Sequence, residues 1–147
     1  KDLTITILGT TGVVTLGGSL GAATNGALTK VQVNAGASGS IGINGAVITT
    51  TGASGQSFTA LNTSYATALV LTAGSGPIAF VGGLNSSTNE DLTLATIGAL
   101  SFGGAVGAGG ALGNIDTTLA SSGLTATTIS AKSFDTNVAL ILMSPWM

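Results

Sequence analysis

The chain alternates short apolar runs with clusters of small polar residues. Residues 3–8 read Leu-Thr-Ile-Thr-Ile-Leu, so apolar and polar positions alternate with a period of two, which is typical of a half-buried β-strand. Glycine and threonine then follow at 9–12, where such a strand would turn. The same pattern predicts further short strands at 13–16, 28–33, 40–43, 46–50, 68–72, 78–81, 92–97, 100–102, 125–130 and 138–142.

Helices are disfavoured along the whole chain. It contains 24 glycines, each of which would cost a helix interior about 1 kcal/mol relative to alanine. The alanine-rich stretch 103–112 is also rich in glycine, which favours a turn-and-edge segment over a helix. The pattern therefore predicts an all-β fold.

Internal repeats suggest how these strands are arranged. Asp2-Leu3-Thr4-Ile5 recurs later in the chain as Asp91-Leu92-Thr93-Leu94. A short strand followed by Gly-Gly ends at Gly18, at Gly83 and at Gly104, and the last two copies set the shortest repeat in the chain. Insertions around 53–55 would account for the drift between copies.

The spacing of these last two copies, about 21 residues, matches the length of one coil of a parallel β-helix. Successive coils of such a solenoid stack about 4.8 Å apart, and together they bury an apolar core that one coil cannot bury alone. The chain would then form about six or seven coils. The alternative fold is a pilin-like β-sandwich, because many short strands also suit that architecture.

Several phrases resemble a known family. They are Thr-Thr-Thr-Gly at 49–52 with Gln-Ser-Phe at 56–58, Leu-Thr-Ala-Gly-Ser-Gly at 71–76, and Phe-Gly-Gly-Ala-Val-Gly at 102–107. Together with the rhythm of the chain from roughly Asp2 to Phe134, they resemble repeats of filamentous-haemagglutinin-type adhesins and autotransporter passenger domains. The resemblance implies a right-handed β-helix that is secreted to the bacterial cell surface and acts in adhesion or biofilm. The resemblance does not identify which host surface or glycan the protein would bind, and it supplies no catalytic motif.

The C-terminal residues break this rhythm. We divide the chain into a β-helical repeat segment at 1–137 and an apolar strand, cap or tail at 138–147. Because an open solenoid end exposes unpaired backbone groups, this tail could contact a neighbouring repeat or another copy stacked end to end. The candidate assembly contacts are Leu140, Ile141, Leu142, Met143 and Trp146.

Charge and composition exclude several functions. Only 5% of residues are charged, against roughly 25% in an average soluble domain, and the three basic residues are scattered lysines. Nucleic-acid binding needs clustered Lys or Arg, so it is not expected. The chain has no histidine and no cysteine, which excludes a Ser-His-Asp triad, disulfides and thiolate metal sites. We predict no enzymatic activity and no cofactor.

Two further features concern metal binding and the membrane. Glu90-Asp91 follows a polar run and indicates a solvated turn, with a weak Ca²⁺ site using oxygens of Asn89, Glu90 and Asp91 as the alternative. The longest aliphatic run, 138–143, is far shorter than the ~20 residues of a membrane-spanning helix. A chain that starts at Lys1 and carries no signal peptide suggests a mature product or a fragment.

Three functions remain open from the sequence. The first is a structural shaft segment of a bacterial surface adhesin or extracellular filament. The second is a self-assembling, pilus-like extracellular fibre subunit. The third and least favoured is an ice-binding β-helix, because the threonine pairs do not recur at each predicted coil.

Overall fold

The fold is built entirely from short β-strands. The computed structural model describes residues 1–21, 26–120, 122–137 and 139–142, and within these ranges it contains no helix. The strands are β1 Asp2–Thr6, β2 Val13–Leu16, β3 Leu28–Asn34, β4 Ser40–Ile43, β5 Val47–Thr59, β6 Asn62–Tyr65, β7 Leu69–Ala73, β8 Ile78–Phe80, β9 Gly83–Ser86, β10 Leu92–Ala95, β11 Leu100–Phe102, β12 Leu112–Asp116, β13 Leu124–Ala126, β14 Ala131–Asp135 and β15 Leu140–Leu142.

These strands stack into three faces. Face 1 runs β1-β3-β5-β8-β11-β13-β15, and face 3 runs β5-β7-β10-β12-β14. Both belong to one sheet of eleven strands, because the long strand β5 turns a corner: residues 47–50 pair with β7 and residues 56–58 pair with β8. Face 2 is a separate sheet with the order β2-β4-β6-β9.

All the pairings between described strands are parallel. A β-sandwich of the pilin type is built largely from antiparallel strands, so the sandwich alternative is wrong. The predicted all-β parallel solenoid is confirmed, with about five turns. Its right-handed sense and the six or seven coils remain predictions.

The residue numbers of stacked strands define the coil length. On face 1, Gln56 pairs with Ile78 and Ile78 with Leu100, so the sequence advances by the same step in two successive coils. The first coil is longer, since Asp2 pairs with Lys30. In the next coil the register shifts between Leu28 and Lys30, which face Thr50 and Gly55. This shift agrees with the insertion predicted near 53–55.

The repeated phrases found in the sequence differ in whether their copies occupy equivalent positions of the solenoid. Leu3 lies on face 1, in β1, whereas Leu92 lies on face 3, in β10. The two Asp-Leu-Thr copies therefore occupy different sides of the solenoid. The Gly-Gly copies that end at Gly83 and Gly104 do share a corner. However, the register pairs Phe80 with Phe102, so the coil is one residue longer than the spacing of these copies.

The core is a set of inward columns that run along the stack. Buried and half-exposed positions alternate along the central strands, as in β7 and β8. Phe58, Phe80 and Phe102 form one column on face 1, with ring centroids 4.9 and 5.3 Å apart and nearly parallel planes. The buried apolar side chains of all three faces form one continuous cluster, so the interior is a packed core.

A few inward positions hold polar side chains, and the largest of these is Gln56. Gln56 is fully buried, and its Nε2 donates hydrogen bonds to the carbonyl oxygens of Ile48 at 3.1 Å and Thr72 at 2.9 Å. Both acceptors lie on face 3, so the amide joins two faces across the corner. Its Oε1 has no hydrogen-bond partner among the described residues.

The C-terminal strand β15 adds to face 1. Leu140 pairs with Leu124 and Leu142 with Ala126, so the register of the face continues into the predicted tail. The division between 1–137 and 138–147 remains a prediction, and Val138 and residues 143–147 lie outside the described residues. Within the described ranges, no helix is long and apolar enough to cross a membrane.

Candidate functional site

The ionisable groups of the described residues are dispersed over the solenoid. Lys30 and Asp2 form a partly exposed ion pair on face 1, with Nζ and Oδ2 3.9 Å apart. On face 3, Asp116 accepts hydrogen bonds from Oγ1 and the backbone N–H of Thr118, and these bonds lower the pKa of its carboxyl group. No group of three or more Asp or Glu side chains in the described ranges could hold a metal ion.

In the loop between β9 and β10, oxygens of Glu90 and Asp91 that were considered as Ca²⁺ ligands accept hydrogen bonds from other residues of the chain. The carbonyl oxygen of Glu90 accepts hydrogen bonds from the Tyr65 hydroxyl at 3.0 Å and from the N–H of Gly113 at 2.9 Å. Asp91 Oδ1 accepts one from the N–H of Asn114 at 2.7 Å. These contacts tie the loop to the coils on either side, so they favour the turn interpretation over the calcium site.

Tyr65 is the most perturbed ionisable group in this region. Its side chain is 1% exposed. Burial, reinforced by the nearby carboxylates of Asp91 and Glu90, raises the pKa of its hydroxyl well above the usual value. The phenol therefore stays neutral at physiological pH and serves as a hydrogen-bond donor to the Glu90 loop.

The outward columns change residue type from coil to coil. On face 3, one column contains Val47, Val70, Thr93, Asp116 and Asp135 in register. Such a column is not a threonine ladder, so it does not favour the ice-binding alternative. It also places Asp116 beside Asp135, one coil apart, and like charges directly opposite one another are mildly destabilising.

An apolar groove lies along the corner between faces 1 and 2. The connections at this corner are long in the first two coils (7–12 and 35–39) but contain only two residues in the third (60–61) and in the fourth (81–82). A groove of about 570 Å³ lies where the long connections of the first two coils are followed along the stack by the short connections of the next two. We call this the corner groove. Its lining includes Ile7, Ala37, Leu61 and Val81.

The corner groove exposes apolar side chains. Leu61 is 64% exposed and Val81 is 56% exposed, although each flanks a strand whose inward residues are buried. No charged residue is among those that line the groove. Sequence reasoning missed this groove, because it assigned Val81 to the predicted strand 78–81 and Leu61 to no element.

The predicted assembly contacts are placed only in part. Leu140 is 39% exposed and Ile141 is 56% exposed, and both lie in β15 at the end of face 1. Leu142 belongs to the same strand. Met143 and Trp146 lie outside the described residues.

Comparison with known proteins found no similar protein. The chain matches no protein-family model, no curated protein and no solved structure. The resemblance to adhesin repeats therefore remains a prediction that rests on the quoted phrases.

Proposed function

We propose that this chain is a structural shaft segment of a bacterial cell-surface adhesin or extracellular filament, acting in adhesion or biofilm. The supporting architecture is a parallel solenoid in which each coil repeats the one before it. Every additional coil extends such a rod by about 4.8 Å. On this proposal the chain is secreted, and its partners are the neighbouring repeats.

The observation that carries the proposal is that the inward and outward positions of the solenoid hold different kinds of side chain. The inward columns are filled by packed aliphatic and aromatic side chains, as in the Phe58–Phe80–Phe102 column. The outward positions carry mostly small, uncharged residues, and no three Asp or Glu side chains in the described ranges form a group that could hold a metal ion. This distribution suits a spacer, because length and stiffness depend on the repeated core and not on one special side chain.

Removal of one whole coil tests the proposal. Deletion of residues 79–100 joins Ile78 to Ser101 and preserves the register, because Ala79 and Ser101 are paired positions. In the full-length gene, we expect the cells to display this variant at the normal level and to keep their adhesion. Display is measured by antibody binding to intact cells, and adhesion by attachment to the surface that the parent strain colonises.

The matched control deletes one residue fewer. Removal of residues 80–100 places Ser101 at the inward position of Phe80 and turns Phe102 outward, so every later inward residue is inverted. We expect this variant to misfold and to lose display. If the 79–100 deletion were displayed normally but abolished adhesion, the binding site would lie within that coil and the shaft proposal would be wrong.

The second candidate is a self-assembling fibre subunit. A cavity of about 240 Å³ lies at the last coil, where Ile129, Phe134 and Leu140 meet. An apolar cavity at the end of a solenoid is a place where another copy could dock. Filaments of the purified chain under negative stain, lost on deletion of residues 140–147, would support this candidate, and a monodisperse monomer would refute it.

A further inference from the structure

The connections at the corner between faces 1 and 2 form a step along the stack. The first two coils contribute the long connections 7–12 and 35–39, and the next two contribute the short connections 60–61 and 81–82. The strands before and after these connections are stacked in register. The additional residues of the long connections therefore have to project outward, so two raised coils are followed by two low coils. We call these four connections the corner step.

The raised half of the corner step is held in place by hydrogen bonds between its two connections. The N–H of Gly12 donates to the carbonyl oxygen of Ala35, and the N–H of Ser38 donates to that of Thr10, both at 2.8 Å. Leu8, on the first of these connections, is 96% exposed. An apolar side chain on a backbone that is already ordered costs little further entropy on binding, so Leu8 suits an anchor at an interface.

The low half of the corner step is the floor of the corner groove, where Leu61 and Val81 are exposed. None of the four connections contains a charged residue. The step is therefore an uncharged surface that exposes apolar side chains on both levels, as interaction sites do. The net charge of the whole chain is only −2, so two copies would repel each other weakly.

A step of two raised and two low coils is complementary to itself. A two-fold rotation about an axis that lies in the interface, perpendicular to the rod and between the second and third coils, places the raised coils of each copy over the low coils of the other. The first coil then faces the fourth, so Leu8 meets Val81 of the other copy. The second coil faces the third, so Ala37 meets Leu61 of the other copy. An unrelated partner would need a matching step of its own, whereas a second copy supplies one.

We propose that two copies of this chain pair side by side and antiparallel through the corner step, with Leu8 of each copy packed in the corner groove of the other. The proposal goes beyond the shaft function and does not depend on it. The interface is isologous, so it closes with two copies and forms no filament. It thereby differs from the end-to-end contact that the fibre candidate requires.

Size-exclusion chromatography with light scattering tests the pairing on the purified chain. We expect a dimer at high concentration that dissociates to monomers on dilution, because the step is small for a protein interface. Leu8→Asp and Val81→Asp each place an unpaired charge at two points of the dimer and should raise the dissociation constant by about tenfold or more. Because both side chains are exposed, the circular dichroism spectrum of the monomer should not change.

The matched control is Ile97→Asp. Ile97 is 64% exposed, but it follows β10 at the corner between faces 3 and 1, outside the corner step. This variant should leave the dissociation constant unchanged. A chain that is monomeric at every concentration, a dimer that ignores both step variants, or a dimer that Ile97→Asp also disrupts would overturn the proposal.

Cysteine cross-linking tests the antiparallel register and remains decisive if an aspartate variant fails to fold. The chain has no cysteine, so Leu8→Cys and Val81→Cys can be introduced into separate proteins. In the proposed pair the two copies of position 8 are three ladder steps apart, about 14 Å, which is too far for a disulfide. Under oxidising conditions a mixture of the two proteins should form a covalent dimer, and neither protein should do so alone. No covalent dimer in the mixture, or an equal yield from either protein alone, would overturn the proposal.

Discussion

Replacing Phe80 with alanine is expected to lower the free energy of unfolding by about 3–5 kcal/mol. Phe80 is 1% exposed and stands in the middle of the aromatic column, with Phe58 and Phe102 stacked on either side. Its removal would leave a cavity in a narrow core and break both ring contacts. Urea denaturation followed by circular dichroism measures the loss.

Two variants calibrate this result. Phe80→Leu keeps most of the buried volume and should cost clearly less than Phe80→Ala. Ser57→Ala changes an outward position beside Phe58 and should alter the free energy of unfolding by no more than about 0.5 kcal/mol. If Phe80→Ala were as mild as Ser57→Ala, the side chain would not lie in a packed column and the inward assignment of face 1 would fail.

Replacing Gly107 with alanine should destabilise the protein by about 2–4 kcal/mol. Gly107 has a φ of +77°, a conformation that side-chain-bearing residues rarely adopt. A Cβ atom built there would collide with the carbonyl oxygen of Ser130 in the next coil. The backbone cannot retreat freely, because the N–H of Gly107 donates a 2.7 Å hydrogen bond to the carbonyl oxygen of Leu84.

Gly42 provides the matched control. It lies on the outward side of β4 with ordinary backbone angles, and a Cβ there would approach no atom closer than 3.9 Å. Gly42→Ala should therefore raise the free energy of unfolding, by about 0.5–1 kcal/mol, since alanine loses less backbone entropy than glycine. Equal effects at both positions would show that the coils do not approach each other closely at Gly107.

Period-two patterning predicted the strands that carry branched or aromatic residues. The bounds of β2, β4 and β11 agree with the sequence prediction. Strands β6, β9, β12 and β14 were missed, because they contain asparagine, serine, glycine or aspartate and few β-branched residues. Their neighbours in the stack hold these segments extended through parallel pairing, which is a tertiary effect that local propensity does not register.

Of the two repeated phrases found in the sequence, only one gave a correct spacing for the coils. The Asp2 and Asp91 copies matched in letters but lie on different faces, because side chains in a solenoid are selected by inward or outward position and not by face. The coil length was recovered to within one residue from the Gly-Gly copies that end at Gly83 and Gly104, because these two copies lie at the same corner in successive coils.

The corner groove could not be derived from the sequence. It arises because long and two-residue connections are stacked at one corner, and only the register shows which connections share a corner. The sequence prediction placed Val81 in the strand 78–81 and Leu61 in no element, so it did not identify either residue as an exposed apolar residue at a corner.

Surface labelling is the most direct test of the central claim, that the chain is an external rod with inward and outward columns. The chain has no cysteine, so single cysteines can be placed at the exposed outward residues Gln32 and Thr15, or at the fully buried Ala73. On intact cells of the source organism, a membrane-impermeant maleimide should label Gln32→Cys and Thr15→Cys but not Ala73→Cys. Labelling of the two outward cysteines only after the cells are lysed would contradict the account.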